Sequence, residues 1–286
     1  MPGRHRRLHE APGQGAIELR VEWYCQGEPF QEERQKLFAP AWQLLGRASV
    51  LRKPGDYLCA NLAGWPLVAL VNGEGKPAAF HNVCRHQRMG VVEIGARNAP
   101  ALRCKYHGWT YDLDGRFTSA PTAVAPADPS SAENNLERIS LAIWHGLAFV
   151  CVTASAESPA AFLAARAIDE RRFSGESTTD IGCNWKLYIE HCLAEDPGSW
   201  SWPALVVSSG ADGTVVQQVI PRSFSRTRVV QHSFGAAPLD LAPAKAACEE
   251  AQKRAESGQL SPAANAAVAA FRERVRSSVQ PASPER

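Results

Sequence analysis

The segments Cys84-Arg85-His86 and, seventeen residues later, Cys104-Lys105-Tyr106-His107 carry the strongest chemical signal in the 286-residue sequence. Each segment supplies one thiol and one imidazole, which are common metal ligands in proteins. One interpretation is a structural zinc site, because two Cys and two His form a frequent tetrahedral zinc set. Zinc fingers, however, usually pair Cys with Cys and His with His, whereas each segment here has one of each. The mixed pairing therefore favours a different metal centre.

A centre with two irons fits this pairing better than a single zinc ion does. In a Rieske [2Fe-2S] cluster, two thiolates hold one iron and two imidazoles hold the other. Two loops that each carry one Cys and one His can clamp such a cluster from both sides. We therefore predict that Cys84, His86, Cys104 and His107 are the metal ligands and bind a [2Fe-2S] cofactor.

The sequence around these segments has the texture of a small antiparallel β domain. Short apolar runs lie between Trp42 and about Val152, and turn residues such as Asn72-Gly73 and Asp112-Leu113-Asp114-Gly115 separate them. We assign residues 42–152 to this domain. Residues 1–41 form a lead-in segment, in which Glu28 to Trp42 predicts an amphipathic helix that ends near Pro40.

Residues 153–286 form a second domain in this interpretation. A junction over 153–179 is expected to contain a short helix that starts at Ser158-Pro159 and continues through AAFLAARAIDERRF. Two paired strands follow at 214–221 and 225–234, and two Ala-rich helices follow at 244–257 and 262–278. Residues 280–286 form a frayed tail.

Composition excludes several other classes of protein. Lys plus Arg number 31 against 29 Asp plus Glu, so the net charge of +2 offers no broad basic surface for nucleic acid. Eight Cys are too sparse for a disulfide scaffold, and no uninterrupted apolar stretch is long enough for a membrane span. The N-terminal stretch lacks the apolar segment of a secretory signal, so we expect a cytoplasmic protein.

The flanks of the two Cys/His segments resemble a known family, the Rieske non-heme iron oxygenases, which comprise ring-hydroxylating α subunits and their demethylating relatives. The resemblance rests on Asn82-Val83-Cys84-Arg85-His86, on Cys104 to Gly115 and, upstream, on Phe38 to Gly46 and Pro54-Gly55-Asp56-Tyr57. It implies an α+β fold, with a Rieske-type antiparallel β domain followed by a helix-grip domain of antiparallel sheet plus helices. Neither segment has the extra Cys of respiratory Rieske proteins, which implies the oxygenase-type branch.

The same resemblance implies a second metal, a mononuclear Fe(II), and locates where its ligands are expected. Asn184-Trp185-Lys186-Leu187-Tyr188-Ile189-Glu190 resembles the family's N-W-K-x-x-x-E motif, and Cys248-Glu249-Glu250-Ala251-Gln252 resembles its C-E-x-x-Q segment. In this register the positions of the three iron ligands hold Pro197, Trp202 and Ala244, none of which binds iron. Ala194 stands where the family has an acidic residue thought to link cluster and iron. Only about forty residues separate Pro203 from the C-terminal helix, so we predict a degenerate, shortened catalytic domain.

The function expected from this resemblance is electron transfer, as an α-like component of an oxygenase system that has lost its own iron site. A ferredoxin or a flavin reductase would donate electrons, and the chain would form a homo- or hetero-oligomer with an intact α-type subunit. Independent O2 activation is not expected, and no catalytic residue is identified. One alternative is a complete mono- or dioxygenase, a hydroxylase or demethylase, with non-standard iron ligands; another is a structural pseudo-oxygenase subunit.

Other residues offer a way to rebuild an iron site. His191 and Glu195 are four residues apart and would share a helix face, where Asp196, Asp240 or His232 would have to join them. In the contrasting interpretation, Trp200 and Trp202 fill the space that iron and substrate would otherwise occupy.

Overall fold

The computed structural model describes residues 19–153, 158–166 and 168–279, and it confirms an α+β chain built on antiparallel sheets. Its strands, in chain order, are β1 Gln43–Arg47, β2 Asp56–Leu62, β3 Trp65–Val71, β4 Pro77–His81, β5 Gly95–Asn98, β6 Leu102–Arg103, β7 Thr110–Tyr111, β8 Phe117–Ser119, β9 Arg138–Trp144, β10 Leu147–Cys151, β11 Phe173–Ile181, β12 Trp200–Ser201, β13 Leu205–Ser209, β14 Thr214–Ser223 and β15 Arg226–Phe234. Its α-helices are α1 Glu22–Cys25, α2 Gly27–Glu33, α3 Ala160–Ala164, α4 Trp185–Glu195, α5 Ala242–Glu256 and α6 Ala266–Val279.

The first half of the chain forms two sheets. A seven-stranded sheet has the order β1-β10-β9-β4-β3-β2-β5, and a three-stranded sheet has the order β6-β7-β8. The hairpin predicted at Asp112 to Gly115 joins β7 to β8, and Gly115 has the positive φ of 76° that such a turn needs. The two Cys/His segments follow β4 and β6, at the margin between the sheets.

The second half forms a five-stranded sheet with helices on one of its faces. The sheet order is β11-β15-β14-β13-β12, and the hairpin of β14 and β15 matches the two predicted strands. Gln217 on β14 contacts Tyr188 of α4, so the face with odd-numbered β14 residues lies toward the helices. The opposite face contributes Val216 to a core shared with Leu44 and Phe149 of the first sheet.

Two predicted boundaries in the second half are wrong. Helix α3 ends at Ala164, and Phe173 already begins β11, which pairs with β15 along its whole length. Beyond α3, Glu170–Arg172 form a 3-10 helix and Phe173 joins the sheet, so sheet pairing from Phe173 onward shortens the predicted junction. Helix α6 begins at Ala266 rather than at Pro262, because Asn265, not Ser261, accepts the hydrogen bond from the Val268 amide that caps it. The predicted tail 280–286 lies outside the described residues.

The segment before β1 packs into the second half of the chain. Trp23, Tyr24 and Phe38 belong to the buried core that also contains Trp185 of α4 and Phe271 of α6. The predicted helix appears as α2 and a π-helical turn over Arg34–Phe38, which ends just before Pro40. The chain thus leaves the helical layer, builds the first sheet and returns to the same layer.

No helix among the described residues is long and apolar enough to cross a membrane.

Candidate metal centre

The two Cys/His segments fold into loops with the same backbone hydrogen bonds. In the first loop, the amide of Cys84 donates to the carbonyl of Met89 at 2.7 Å, and the amide of Arg88 donates back to Cys84 at 2.9 Å. In the second loop, the Cys104 amide donates to Trp109 at 2.8 Å, and the Gly108 amide donates to Cys104 at 3.0 Å. The fifth residue of each loop has a positive φ, 57° at Arg88 and 72° at Gly108. The loops are therefore structural repeats, which the sequence spacing alone does not reveal.

These loops bring the four predicted ligands to one tip of the first domain. Cys84 and Cys104 are 1% and 2% exposed, whereas the rings of His86 and His107 are half-buried and lie 4.7 Å apart, centroid to centroid. Two inner sulfurs and two outer imidazoles form the donor set that a [2Fe-2S] cluster requires. The Nδ1 atom of His86 is buried and has no hydrogen-bond partner among the described residues, as expected for a nitrogen reserved for a metal.

Tyr111 governs the surroundings of the inner sulfurs. Its hydroxyl accepts a hydrogen bond from the Arg85 amide at 3.0 Å and lies 3.2 Å from Cys84 Sγ. Either atom of this pair can donate while Cys84 is a thiol, but towards a metal-bound thiolate only the Tyr111 hydroxyl has a hydrogen to donate. Burial raises the pKa of the Cys84 thiol, and the Tyr111 hydrogen bond opposes that rise. Tyr111 therefore stabilises negative charge on the sulfur.

Trp109 and Asn82 hold the loops in place from behind. The Trp109 ring stacks on His86 at 5.3 Å with an interplanar angle of 8°, and its Nε1 donates to Val124 O at 2.8 Å. The Asn82 side chain accepts from the amides of Val91 and Val92 and donates to Val92 O. Trp109 and Tyr111 are buried, but Tyr106 is 50% exposed, so only the first two shield the centre from water. The sequence alone does not indicate this role of Asn82, because its hydrogen-bond partners Val91 and Val92 lie across a loop.

The second motif, which resembles the family's iron-binding helix, forms the start of α4. Asn184 caps this helix by accepting from the Lys186 amide at 3.1 Å, and its amide nitrogen donates to Phe224 O. Lys186 and Trp185 both donate to Glu33 of α2, and Glu190 accepts from Tyr24 and from Arg272 of α6. The polar residues of this motif therefore bind neighbouring helices.

The three positions predicted to replace iron ligands lie in three different elements or turns of the second half. Pro197 is exposed in the turn after α4, Trp202 is half-buried beyond β12, and Ala244 is half-buried in the first turn of α5. The Trp202 ring packs edge-on against Trp200 at 6.0 Å, and Trp200 packs edge-on against Phe271 at 5.3 Å.

Between α4 and the sheet, the interior is filled with side chains. The Tyr188 hydroxyl donates to Gln217 Oε1 at 2.6 Å, and burial raises the Tyr188 pKa strongly. Tyr188 is 1% exposed, and Trp185 and Phe271 are fully buried beside it. That Trp200 and Trp202 fill the space of iron and substrate stays a prediction.

The alternative iron ligands are not brought together. His191 Nε2 lies 3.7 Å from Glu195 Oε1 on α4, but His232 lies on the far face of the sheet, since it pairs with Val216 rather than Gln217. Asp196 accepts from the Gly198 amide, and Asp240 accepts from the Ala242 amide, so each carboxylate caps a turn of backbone. Across the described residues, no three His, Cys, Asp or Glu side chains are gathered as ligands of a single metal ion.

Comparison with known proteins identifies the first domain. Residues 41–138 match the Rieske [2Fe-2S] domain family, and this range contains all four predicted ligands. The glycine betaine monooxygenase oxygenase subunit of Pseudomonas aeruginosa is 32% identical over 200 residues, which cover 64% of this chain and 45% of that protein. The chloroplastic choline monooxygenase of Beta vulgaris is 26% identical over 196 residues, which cover 64% of this chain and 44% of that protein. The matches thus span less than half of each relative.

Among solved structures, the apo form of the quaternary ammonium Rieske monooxygenase CntA shares the fold, with a TM-score of 0.75 at 18% identity. The alignment covers 92% of this chain and 95% of that chain. Naphthalene 1,2-dioxygenase aligns with a TM-score of 0.61 over 86% of this chain and 82% of that chain, at 17% identity. The chain therefore carries a Rieske domain, the type that binds a [2Fe-2S] cluster, and is a homologue of Rieske oxygenase α subunits.

Proposed function

We propose that this chain transfers single electrons through a Rieske cluster held by Cys84, His86, Cys104 and His107, and that it does not activate O2 itself. The proposal rests on the contrast between its two candidate centres. The donor set at the loop tip is complete, whereas Pro197, Trp202 and Ala244 stand at the iron-ligand positions in the register that the family resemblance implies. An intact α-type subunit in the same oligomer would then receive the electron.

The bound cluster would supply reversible one-electron chemistry, and the chain's own residues would tune and protect it. Tyr111 favours the more negative, reduced state by donating toward Cys84 Sγ. Trp109 covers His86 from the protein side, which keeps water away and fixes the imidazole orientation. These contacts support the proposal that hydrogen bonding and burial set the reduction potential of the cluster.

The exposed tip offers a place where an electron donor would approach. Met89 and Tyr106 are 36% and 50% exposed there, and Arg88 and Lys105 add positive charge around them. An acidic ferredoxin or a flavin reductase would fit such a surface, because complementary charge speeds encounter and apolar contacts hold the docked state.

Iron analysis tests the proposal directly. The chain is purified without oxygen, and iron is measured before and after mild chelation. We expect about two irons per chain, none of them removed by mild chelation, since a Rieske cluster contains two. A third, chelatable iron that restores turnover when added back would overturn the proposal.

A matched pair of cysteine variants tests the ligand assignment. Cys84→Ala should abolish the visible absorption and the electron paramagnetic resonance signal of the reduced cluster. Cys151→Ala removes another buried thiol, 0% exposed on β10, which no part of the proposal uses, and should retain both signals. Equal loss in both variants would show a folding defect and count against the assignment.

A second candidate is a complete monooxygenase that acts on a quaternary ammonium compound. The substrates named for the choline, glycine betaine and CntA relatives favour it. Adding choline or glycine betaine to the chain alone, with an artificial reductant, separates the two candidates. Product formation by the chain alone would support the monooxygenase, whereas product formed only with a companion α subunit would support electron transfer.

A purely structural role is the third candidate, and the Cys84→Ala variant tests it as well. If a reconstituted complex with a companion α subunit keeps its activity without the cluster of this chain, the chain only shapes the assembly. We expect that activity to fall together with the cluster signal.

A further inference from the structure

A cleft of about 360 Å³ lies between the first sheet and the five-stranded sheet, and no residue of the two cluster loops lines it. One wall is the face of β11, β14 and β15 that points away from the helices. The other wall comes from β1, β2 and β5. The residues that matter for its chemistry are Arg47, Leu58, Glu176, Ile220, Val230 and His232.

His232 places an unused ring nitrogen at this cleft. The residue is 1% exposed, and its Nδ1 lies 3.2 Å from Glu176 Oε2 on the neighbouring strand. Its Nε2 is also buried and has no hydrogen-bond partner among the residues that the structure describes. The contact with His232, helped by the charge of Arg47, lowers the pKa of Glu176. When both ring nitrogens carry a hydrogen, Nδ1–H faces Glu176 and Nε2–H has no acceptor among the described residues.

Arg47 supplies a second donor from the opposite wall. Its guanidinium carbon lies 3.3 Å from the centroid of the Phe173 ring, and one terminal nitrogen donates to Ser49 Oγ at 2.8 Å. Its Nε is buried and, within the described part of the chain, has no acceptor. Glu170 Oε1 lies 3.9 Å from that same terminal nitrogen, Nη2, which is beyond hydrogen-bond distance. Buried donors without acceptors are rare in folded proteins, so an acceptor is expected here.

The remaining lining defines what kind of molecule would bring that acceptor. Arg222 and Arg228 add positive charge to the lining, although Arg228 already donates two hydrogen bonds to Asp180. Glu176 is the acidic residue among the lining residues. Leu58, Ile220 and Val230 give an apolar middle. An anion with an apolar body matches both parts of the cleft, and inorganic anions match only one.

We propose that this cleft is a binding site for a small organic acid. The carboxylate lies between the side chains of Arg47 and His232, and the hydrocarbon body lies against Leu58, Ile220 and Val230. This site is independent of the electron-transfer role, because it uses none of the cluster ligands and none of the second-domain positions discussed above.

Calorimetric titration of the purified, cluster-loaded chain with hexanoate tests the proposal. We expect saturable 1:1 binding of hexanoate, and no binding of hexan-1-ol, which lacks the charge, or of inorganic phosphate, which lacks the apolar body. Arg47→Gln and His232→Asn should each weaken hexanoate binding about tenfold, because each removes a donor to a charged group. Arg116→Gln, at an exposed turn outside the cleft, should bind as the wild type does.

Val230→Phe provides a check that does not depend on removing a buried polar group. The larger ring fills the middle of the cleft and should abolish binding while the cluster absorption stays unchanged. The proposal is overturned if hexanoate fails to bind the wild type, or if all four variants bind it equally. Binding of phosphate as tight as that of hexanoate would also overturn it, because the cleft would then recognise charge alone.

Discussion

Tyr111 joins the two cluster loops through one hydroxyl group. It belongs to the strand after the second loop, yet it contacts the amide of Arg85 and the sulfur of Cys84 in the first. Removing this hydroxyl would leave the proposed ligands in place. It would change only how strongly negative charge on the Cys84 sulfur is stabilised. A change at Tyr111 is therefore expected to alter the reduction potential of the cluster without preventing cluster binding.

We expect Tyr111→Phe to keep the cluster but to lower its reduction potential by roughly 50–100 mV, the one-electron equivalent of losing a hydrogen bond to a charged acceptor. Potentiometric titration of the visible spectrum measures the shift. Phe117→Leu alters a neighbouring ring that has no hydroxyl, so it serves as the control and should leave the potential nearly unchanged. An unchanged potential in Tyr111→Phe would mean that the hydroxyl does not donate to the sulfur.

At this scale, residue type and spacing were enough to propose the four ligands, since two short segments contain all the candidates. The hydroxyl of Tyr111 could not be assigned a role in the same way. Its two partners lie 26 and 27 residues away, and only the pairing of the loops brings them together. Nor does the sequence distinguish the buried Trp109 and Tyr111 from the exposed Tyr106.

At the scale of elements, α4 is held by buried charges rather than by apolar contacts alone. The side chains of Lys186 and Glu33 are 0% exposed and form an ion pair that fastens α4 to α2. Burial lowers the pKa of Lys186, and the negative charge of Glu33 opposes that shift. Trp185 donates to the same carboxylate, so the acceptor is shared between two donors.

Lys186→Met should lower the free energy of unfolding by about 3–5 kcal/mol, because Glu33 would be left charged and unpaired in the interior. Denaturant unfolding followed by tryptophan fluorescence measures this loss. Adding Glu33→Gln to Lys186→Met should recover part of it, since the buried charge is then removed as well. If the double variant is no more stable than the single one, the pair is not the source of the loss.

The elements also show where local pattern and tertiary structure disagree. The family resemblance implied the helix α4. The pattern of apolar residues predicted α5 and the β14–β15 hairpin correctly, because each buries one face against a neighbour. It failed at β11, where the alternation of half-buried and exposed residues from Phe173 to Asp180 becomes meaningful only once β15 lies beside it. A strand at a sheet edge takes its structure from its neighbour, which a linear pattern does not reveal.

At the scale of the whole molecule, the two halves share apolar cores. Leu44, Leu147 and Phe149 of the first sheet pack with Leu205, Val207 and Val216 of the second. Leu45 and Val150 likewise pack near Ile220. We keep the domain boundary at residue 152 as a proposal. It separates the proposed functions of the two halves, but the apolar cores extend across it.

We expect the segment 42–152, produced alone with its cluster, to be less stable than the same sheet in the full chain. Its exposed Leu44, Leu147 and Phe149 should bind the dye ANS, and its melting temperature should fall by several degrees. Replacing all three by Ser or Thr should reduce dye binding. A segment that melts at the temperature of the full chain without binding dye would show that the shared core contributes little.

The path of the chain through its helical layer has a consequence for biosynthesis. Lys36, just before the first sheet, donates to the carbonyl of Val279 at the end of α6, and Trp185 packs between Phe38 and Phe271. A ribosome completes the first sheet once residue 151 has emerged, but the helical layer must wait for α6. Because the two loops are finished so much earlier, the nascent chain has an interval in which iron and sulfide can be inserted before the layer closes. Slow codons between residues 152 and 185 would lengthen that interval, and fast ones would shorten it.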